Sequence, residues 1–186
     1  LKKWKQDANV FMGLWQQQPL VDCTAWEHEL QIGNSIAPVQ ITVACNPYCG
    51  PCAKAHKKLD ELVNNNGDKV RINIRFGINA KKTEQLRTIA VQLLLQNHLQ
   101  NSNTQQVLSD WFEWMDEEKW KAKYKPDETI NVKQLLQLHD EWAKKVSIAY
   151  TPTFFINGRQ LPGQYCIDDI GTLLPQLTEI MQTPPS

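Results

Sequence analysis

The stretch Val39–Leu62, VQITVACNPYCGPCAKAHKKLDEL, changes periodicity in its middle, and that change decides the fold. Val39, Ile41, Val43 and Cys45 alternate with Gln40, Thr42 and Ala44. Period two is the pattern of a strand, and small or apolar members on both sides suit a strand covered on both faces. After Gly50 the spacing becomes three to four: Cys52, Ala55/His56, Leu59 and Leu62/Val63, with Lys54, Lys57, Lys58, Asp60 and Glu61 mostly between them. This predicts an amphipathic helix closed by Asn-rich residues and Gly67.

A strand running into a helix at two cysteines gives those cysteines a chemistry. Cys49 falls at the helix N-terminus, where free N–H groups and the positive end of the dipole favour thiolate over thiol, so its pKa is expected to fall. Cys52 is one turn further along the same face, within disulfide reach. Pro51 suits a first helical turn, because it has no N–H to leave unsatisfied. The expected product is an exposed disulfide that exchanges readily.

In that context Cys49-Gly50-Pro51-Cys52 resembles the redox site of the thioredoxin superfamily. A hundred residues downstream, Tyr150-Thr151-Pro152-Thr153-Phe154-Phe155-Ile156-Asn157-Gly158 resembles the family's cis-proline segment, which leads into a strand and hairpin. The resemblance implies that Pro152 faces the disulfide in cis. It also implies that Thr151 offers backbone hydrogen bonds to an extended substrate chain, a form of strand addition. Tyr48, Gly50 and Pro51 join Thr151 and Pro152 as the substrate-binding set, around catalytic Cys49 and Cys52. Thioredoxin carries a buried acid six positions before its nucleophile; here that position is Val43. Proton transfer to and from Cys52 must then use another group or water. His56, four residues after Cys52, reads as a packed or solvated helix residue rather than a base.

Composition narrows the partners. Twenty basic and twenty acidic residues give no formal net charge, which steers the chain towards neither nucleic acid nor an anionic membrane. Protein thiols and disulfides are the expected partners, and no cofactor or metal is required. The 186 residues suit one full core, and no stretch approaches the roughly 20 apolar residues of a membrane span. Beginning at Leu1 rather than Met, the sequence reads as a processed protein or excised domain. Five cysteines leave Cys23, Cys45 and Cys166 beyond the redox pair, enough for one structural disulfide and a free thiol in unspecified pairing.

The rest of the chain fills in around this unit. Residues 1–18 read as an amphipathic helix ending before Pro19, and Glu29–Gly33 as a short strand. Val70, Ile72, Ile74 and Phe76 alternate with Arg71, Asn73 and Arg75, predicting a half-exposed strand that completes a right-handed βαβ unit. Residues 82–147 are helical in pattern, with Thr83 and Thr104 as caps, a short turn at 119–126 and a last helix over 132–146. Trp111, Trp114, Trp120 and Trp142 lie in this insertion and are expected mostly in a small helical core, over the active-site face as a lid. Asn157-Gly158 predicts a type I′ hairpin, and Pro175 predicts a break in the C-terminal helix.

These readings make the fold α/β and thioredoxin-like, with a helical insertion between the βαβ half and the cis-proline hairpin. Residues 1–27 are an N-terminal helix and linker, 28–81 and 148–186 the core, and 82–147 the insertion. The order Gly33-Asn34, Ala37-Pro38, strand, cysteines, together with the insertion, is similar to the DsbA-like branch of thiol–disulfide oxidoreductases. Residues 46–56 also resemble soluble domains that follow a vitamin K epoxide reductase-like membrane domain in some bacterial proteins. That resemblance implies a membrane redox partner or fused domain, and a periplasmic or otherwise extracytoplasmic site tethered through upstream sequence. Two other classes compete: a redox-inert thioredoxin-like binding module, and an iron–sulfur or zinc site using Cys45, Cys49 and Cys52.

Overall fold

The computed structural model describes residues 3–77, 84–101 and 103–182. Five strands form one mixed sheet in the order β1-β3-β2-β4-β5: β1 is Leu30–Gly33, β2 Val39–Cys45, β3 Val70–Phe76, β4 Thr153–Ile156 and β5 Arg159–Gln160. β2 and β3 are parallel, joined by helix α2 (Gly50–Asn66), and the other pairings are antiparallel. Both βαβ unit and hairpin are therefore as expected. Asn157 and Gly158 take φ of 45° and 86°, the two positive values a type I′ turn needs. The Asn157 side chain then accepts from the Gln40 N–H and donates to the Pro38 carbonyl, tying the hairpin to the start of β2.

Ile41, Val43 and Cys45 face a continuous apolar core with α2, α7 (Ile167–Gln182) and α4 (Thr104–Trp114). Ala44 and Phe155 face the other side, where Trp142 and Ala143 of α6 (Lys133–Lys145) and the segment around Val21, Cys23 and Trp26 cover them. Here the expectation of a half-exposed β3 fails. Arg75 is 1% exposed. Its Nε and one terminal nitrogen donate to both Glu29 oxygens at 2.6 and 3.2 Å, and the guanidinium lies over Trp26 and Trp142 at 3.9 and 4.8 Å. A buried guanidinium persists when it is paired, hydrogen-bonded and stacked, and Glu29 and the two tryptophans supply all three.

The insertion is helical throughout its described residues: α3 (Glu84–Gln100), α4, α5 (Glu117–Tyr124) and α6. Among the described residues it encloses no core of its own. Trp111 and Trp120 join the sheet's main core, and Trp142 the smaller cluster on the opposite face, so the helices pack on both faces of the sheet. Thr83, expected as a cap, lies outside the described residues. Asn103, not Thr104, caps α4 by accepting from the Gln106 N–H, while the Thr104 hydroxyl pairs with His98.

Two further expectations change. A helix running through 1–18 gives way to a 3₁₀ turn (Lys3–Gln6) and then α1 (Ala8–Gln16), because extended Asp7 caps α1 through the Asn9 and Val10 N–H groups. Conversely, α7 continues through Pro175. Pro175 lies on the exposed side, where the carbonyl it leaves without a helical partner can be hydrated.

Candidate active site

Cys49 is the N-cap of α2, with extended backbone (φ −115°, ψ 117°), and its sulfur accepts from the Cys52 N–H at 3.3 Å. The strand-to-helix junction therefore leaves Cys49 half-buried at the surface while Cys52, one turn deeper, is 0% exposed. Pro51 occupies the first turn and, like Gly50, is exposed. Across the site the Thr151–Pro152 peptide is cis. The Thr151 hydroxyl donates to the Cys49 sulfur at 3.8 Å, and the Thr151 carbonyl lies 3.8 Å from the same atom. The sequence-predicted residues Cys49, Cys52 and Thr151 are thus brought together, with Pro152 next in the chain.

Tyr48 is partly exposed and stands edge-on to Trp111, with ring centroids 5.5 Å apart. Trp111 is fully buried and donates its Nε1–H to the Pro47 carbonyl at 2.8 Å. It braces the cysteine loop from below and does not line the surface. Asn46, which sequence reasoning missed, accepts the Tyr48 N–H through its side chain at 2.9 Å and so shapes the turn into Cys49. Asn before Pro was the available signal, since this side chain can hydrogen-bond the backbone two residues on. His56 does not reach the sulfurs. It is buried, stacked on Phe112 at 4.9 Å, with Nε2 3.5 Å from Asp60, and burial holds its pKa below the usual range.

The sulfurs ionise as a coupled unit. Burial, and then the Cys52 sulfur, push the Cys49 thiol up, against the Cys52 N–H and Thr151 hydroxyl, which pull it down. Cys52 is drawn to about 6, first by a hydrogen bond from Cys45, against burial, with Cys49, the Asn46 backbone and Thr151 adding to it. The expectation that the helix terminus lowers the Cys49 pKa is corrected: burial outweighs it, and the Cys49 thiol is pushed up. Two sulfurs one turn apart hold a single negative charge between them, and more donors converge on Cys52.

All five cysteines are thiols in the structure. Cys23 lies on the far face of the sheet, Cys45 is buried beneath Cys52, and Cys166 is exposed beside Pro51, so these three are spread over separate regions. Among the described residues, no group of three or more His, Cys, Asp or Glu side chains is arranged to hold a metal ion. A groove of about 600 Å³ adjoins the cysteines, with Gly50, Pro51 and Ala55 on one wall and Phe154, Leu161 and Tyr165 on the other. Its lining is mainly apolar, with Lys54 and Lys58 contributing basic groups. Among the described residues no helix is long and apolar enough to cross a membrane.

The same architecture occurs in solved structures. BdbD from Bacillus subtilis in its oxidised form superposes with a TM-score of 0.66 at 13% identity, covering 87% of this chain and 97% of that one. A periplasmic thioredoxin-like protein from Salmonella enterica serovar Typhimurium gives 0.65 at 13% identity over 92% and 97% of the two chains. DsbA from Chlamydia trachomatis gives 0.61 at 16% identity over 87% and 98%. At these identities the likeness establishes the fold. No curated protein matches in sequence. The thioredoxin family profile matches residues 25–175, which span β1 through most of α7 and include every residue of the site. The chain therefore belongs to the thioredoxin family.

Proposed function

We propose that this protein is a thiol–disulfide oxidoreductase that exchanges its Cys49–Cys52 dithiol and disulfide with protein substrates. The observation that carries the reading is the placement of the two sulfurs: Cys49 half-exposed at the head of α2 facing Thr151, and Cys52 shielded one turn below. In the reducing direction the Cys49 thiolate attacks a substrate disulfide, forming a mixed disulfide and releasing one substrate thiolate. The Cys52 thiolate then attacks the Cys49 sulfur and expels the second. The oxidising direction is the same path reversed, beginning with attack by a substrate thiolate on Cys49.

Donors converging on the thiolate stabilise the reduced protein, and a stabilised reduced form makes the disulfide an oxidant. We therefore assign the oxidising direction. Thr151 offers its backbone to an extended substrate, Tyr48, Gly50, Pro51 and Pro152 frame it, and the adjoining groove takes an apolar flanking segment. In this reading 28–81 and 148–186 carry the chemistry and 82–147 braces it. The sulfurs supply all the redox chemistry, so no cofactor enters. The site is extracytoplasmic, and a vitamin K epoxide reductase-like membrane protein or fused domain re-oxidises the dithiol. The superposition on a periplasmic thioredoxin-like protein supports the location.

The test is transfer to a reduced peptide containing two cysteines. Protein first oxidised by glutathione disulfide is expected to lose its Cys49–Cys52 disulfide as the peptide gains one, in equal amounts by mass. An oxidised protein that leaves the peptide reduced, or fails to form the Cys49–Cys52 bond, overturns the reading.

A further inference from the structure

The groove beside the cysteines runs along α2. Gly50, Lys54 and Lys58 on its wall are four residues apart, as are Pro51 and Ala55, so they form one stripe down the helix. From Gly50 to Lys58 the stripe is about 12 Å long, at about 1.5 Å per residue. An extended chain rises about 3.3 Å per residue, so the groove has room for roughly four of its residues. Phe154 of β4, Leu161 after β5, and Tyr165 and Ile167 at the head of α7 present the opposite wall. One end lies at Gly50-Pro51, the two residues between the cysteines.

The charged groups on this groove are basic, and they differ in how far they are already neutralised. Among the described residues no Asp or Glu lines it. The two carboxylates that open α7 are engaged: Asp168 pairs with Lys58 Nζ at 2.8 Å, while Asp169 pairs with Lys5 Nζ at 3.2 Å and accepts the Cys166 N–H at 2.8 Å. Lys57, outside the groove, pairs with Glu113 at 3.5 Å. Lys54 is exposed and makes no ion pair among the described residues. Its ammonium is thus the unneutralised charge of an otherwise apolar trench, and walls that exclude water strengthen its pull on an anion.

We propose that this groove docks the stretch of substrate polypeptide flanking the reactive cysteine, and that Lys54 selects stretches carrying aspartate or glutamate two or three positions from that cysteine. Lys54 is five residues beyond Cys49, about 7.5 Å along the helix axis, a distance an extended chain covers in two or three residues. Apolar side chains of the stretch then meet Phe154 and Leu161 while its carboxylate meets the Lys54 ammonium. The assignment rests on the oxidoreductase reading, because exchange at Cys49 fixes where the substrate cysteine sits. Lys54 takes no part in the exchange itself.

The test uses reduced peptides with two cysteines and Leu-rich flanks, bearing Glu, Gln or Lys two or three positions to either side of the first cysteine. Each is reacted with the oxidised parent protein, Lys54→Gln and Lys54→Glu, and kcat and KM for loss of the Cys49–Cys52 disulfide are read by mass after acid quenching. An exposed ion pair changes affinity by up to about fivefold. The parent is expected to favour Glu over Lys about threefold through KM at one of these positions, Lys54→Gln to lose the preference, and Lys54→Glu to invert it, a swing of about tenfold between parent and Lys54→Glu. Comparing proteins on the same peptides cancels each peptide's own thiol reactivity. Salt at about 1 M, where the Debye length is about 3 Å, is expected to flatten the swing. A Glu-to-Lys ratio that is the same in all three proteins overturns the proposal, as does a swing carried by kcat with KM unchanged. If the oxidised parent transfers its disulfide to none of the peptides, the oxidoreductase reading fails. Fluorescence polarisation with labelled peptides carrying Ser for Cys then decides the docking alone: the same inversion in affinity upholds it, and its absence removes it.

Discussion

Lowering the pH from 8 to 5 separates this dithiol from an ordinary thiol. Cys52, drawn to about 6 by the hydrogen bond from Cys45, sets the first ionisation of the pair, whereas a free thiol ionises near about 8.5. At pH 7 roughly nine molecules in ten then hold a thiolate, against roughly three in a hundred for a free thiol. That charge is shared between the two sulfurs, more of it on buried Cys52, so only part of it acts at the exposed Cys49. The sign follows from the lowered ionisation: charge present above pH 6 is lost as the pH falls through 6. Iodoacetamide labelling of the reduced protein, quenched at intervals and mapped by peptide mass, measures this. Cys49 is expected to be the labelled member of the pair, since it is half-exposed and Cys52 is buried, with a rate that halves near pH 6. A rate falling tenfold per pH unit throughout pH 8 to 5, or Cys52 labelled first, refutes the coupled-pair account.

Cys52→Ser is expected to accumulate covalent complexes with substrate proteins that dithiothreitol releases, and Cys49→Ser almost none, as non-reducing electrophoresis will read; equal trapping would remove the assigned order of attack. Glu29→Gln leaves the buried Arg75 without its counter-charge and should cost about 3 kcal/mol, lowering the melting temperature by roughly 6–12 °C. A calorimetric shift under about 2 °C would contradict the pairing. Trp111→Phe strips the Pro47 carbonyl of its donor and should cost about 1–3 kcal/mol by urea unfolding, and an unchanged midpoint would mean the loop is held otherwise.

The redox pair, the strand before it and the helix after it were legible because their signals are local: a switch of period, a proline in a first turn, two cysteines one turn apart. The cis-proline segment was legible only through its resemblance to a family, since no local rule links Pro152 to a cysteine a hundred residues away. Pairings made across the fold were hidden. Arg75 sits at a polar position of an alternating strand and reads as exposed until Trp142 and Trp26, distant in sequence, close over it. Cys45 reads as one more buried thiol, because its contact with Cys52 depends on how α2 is laid against the sheet. Asp7 and Pro175 show the limits of breaker residues: one side-chain cap ends a pattern that looked continuous, and one exposed proline fails to end another.

The central claim is that donors gathered around the Cys52 thiolate make the disulfide an oxidant. Equilibration with mixtures of reduced and oxidised glutathione at pH 7, with acid quenching and mass analysis of the Cys49–Cys52 disulfide, yields the reduction potential directly. A reduced form stabilised by those donors predicts a potential above the about −270 mV of thioredoxin, on the side of the about −120 mV of DsbA. A value at or below about −270 mV would mean that the reduced form gains nothing from those donors, and would contradict the account.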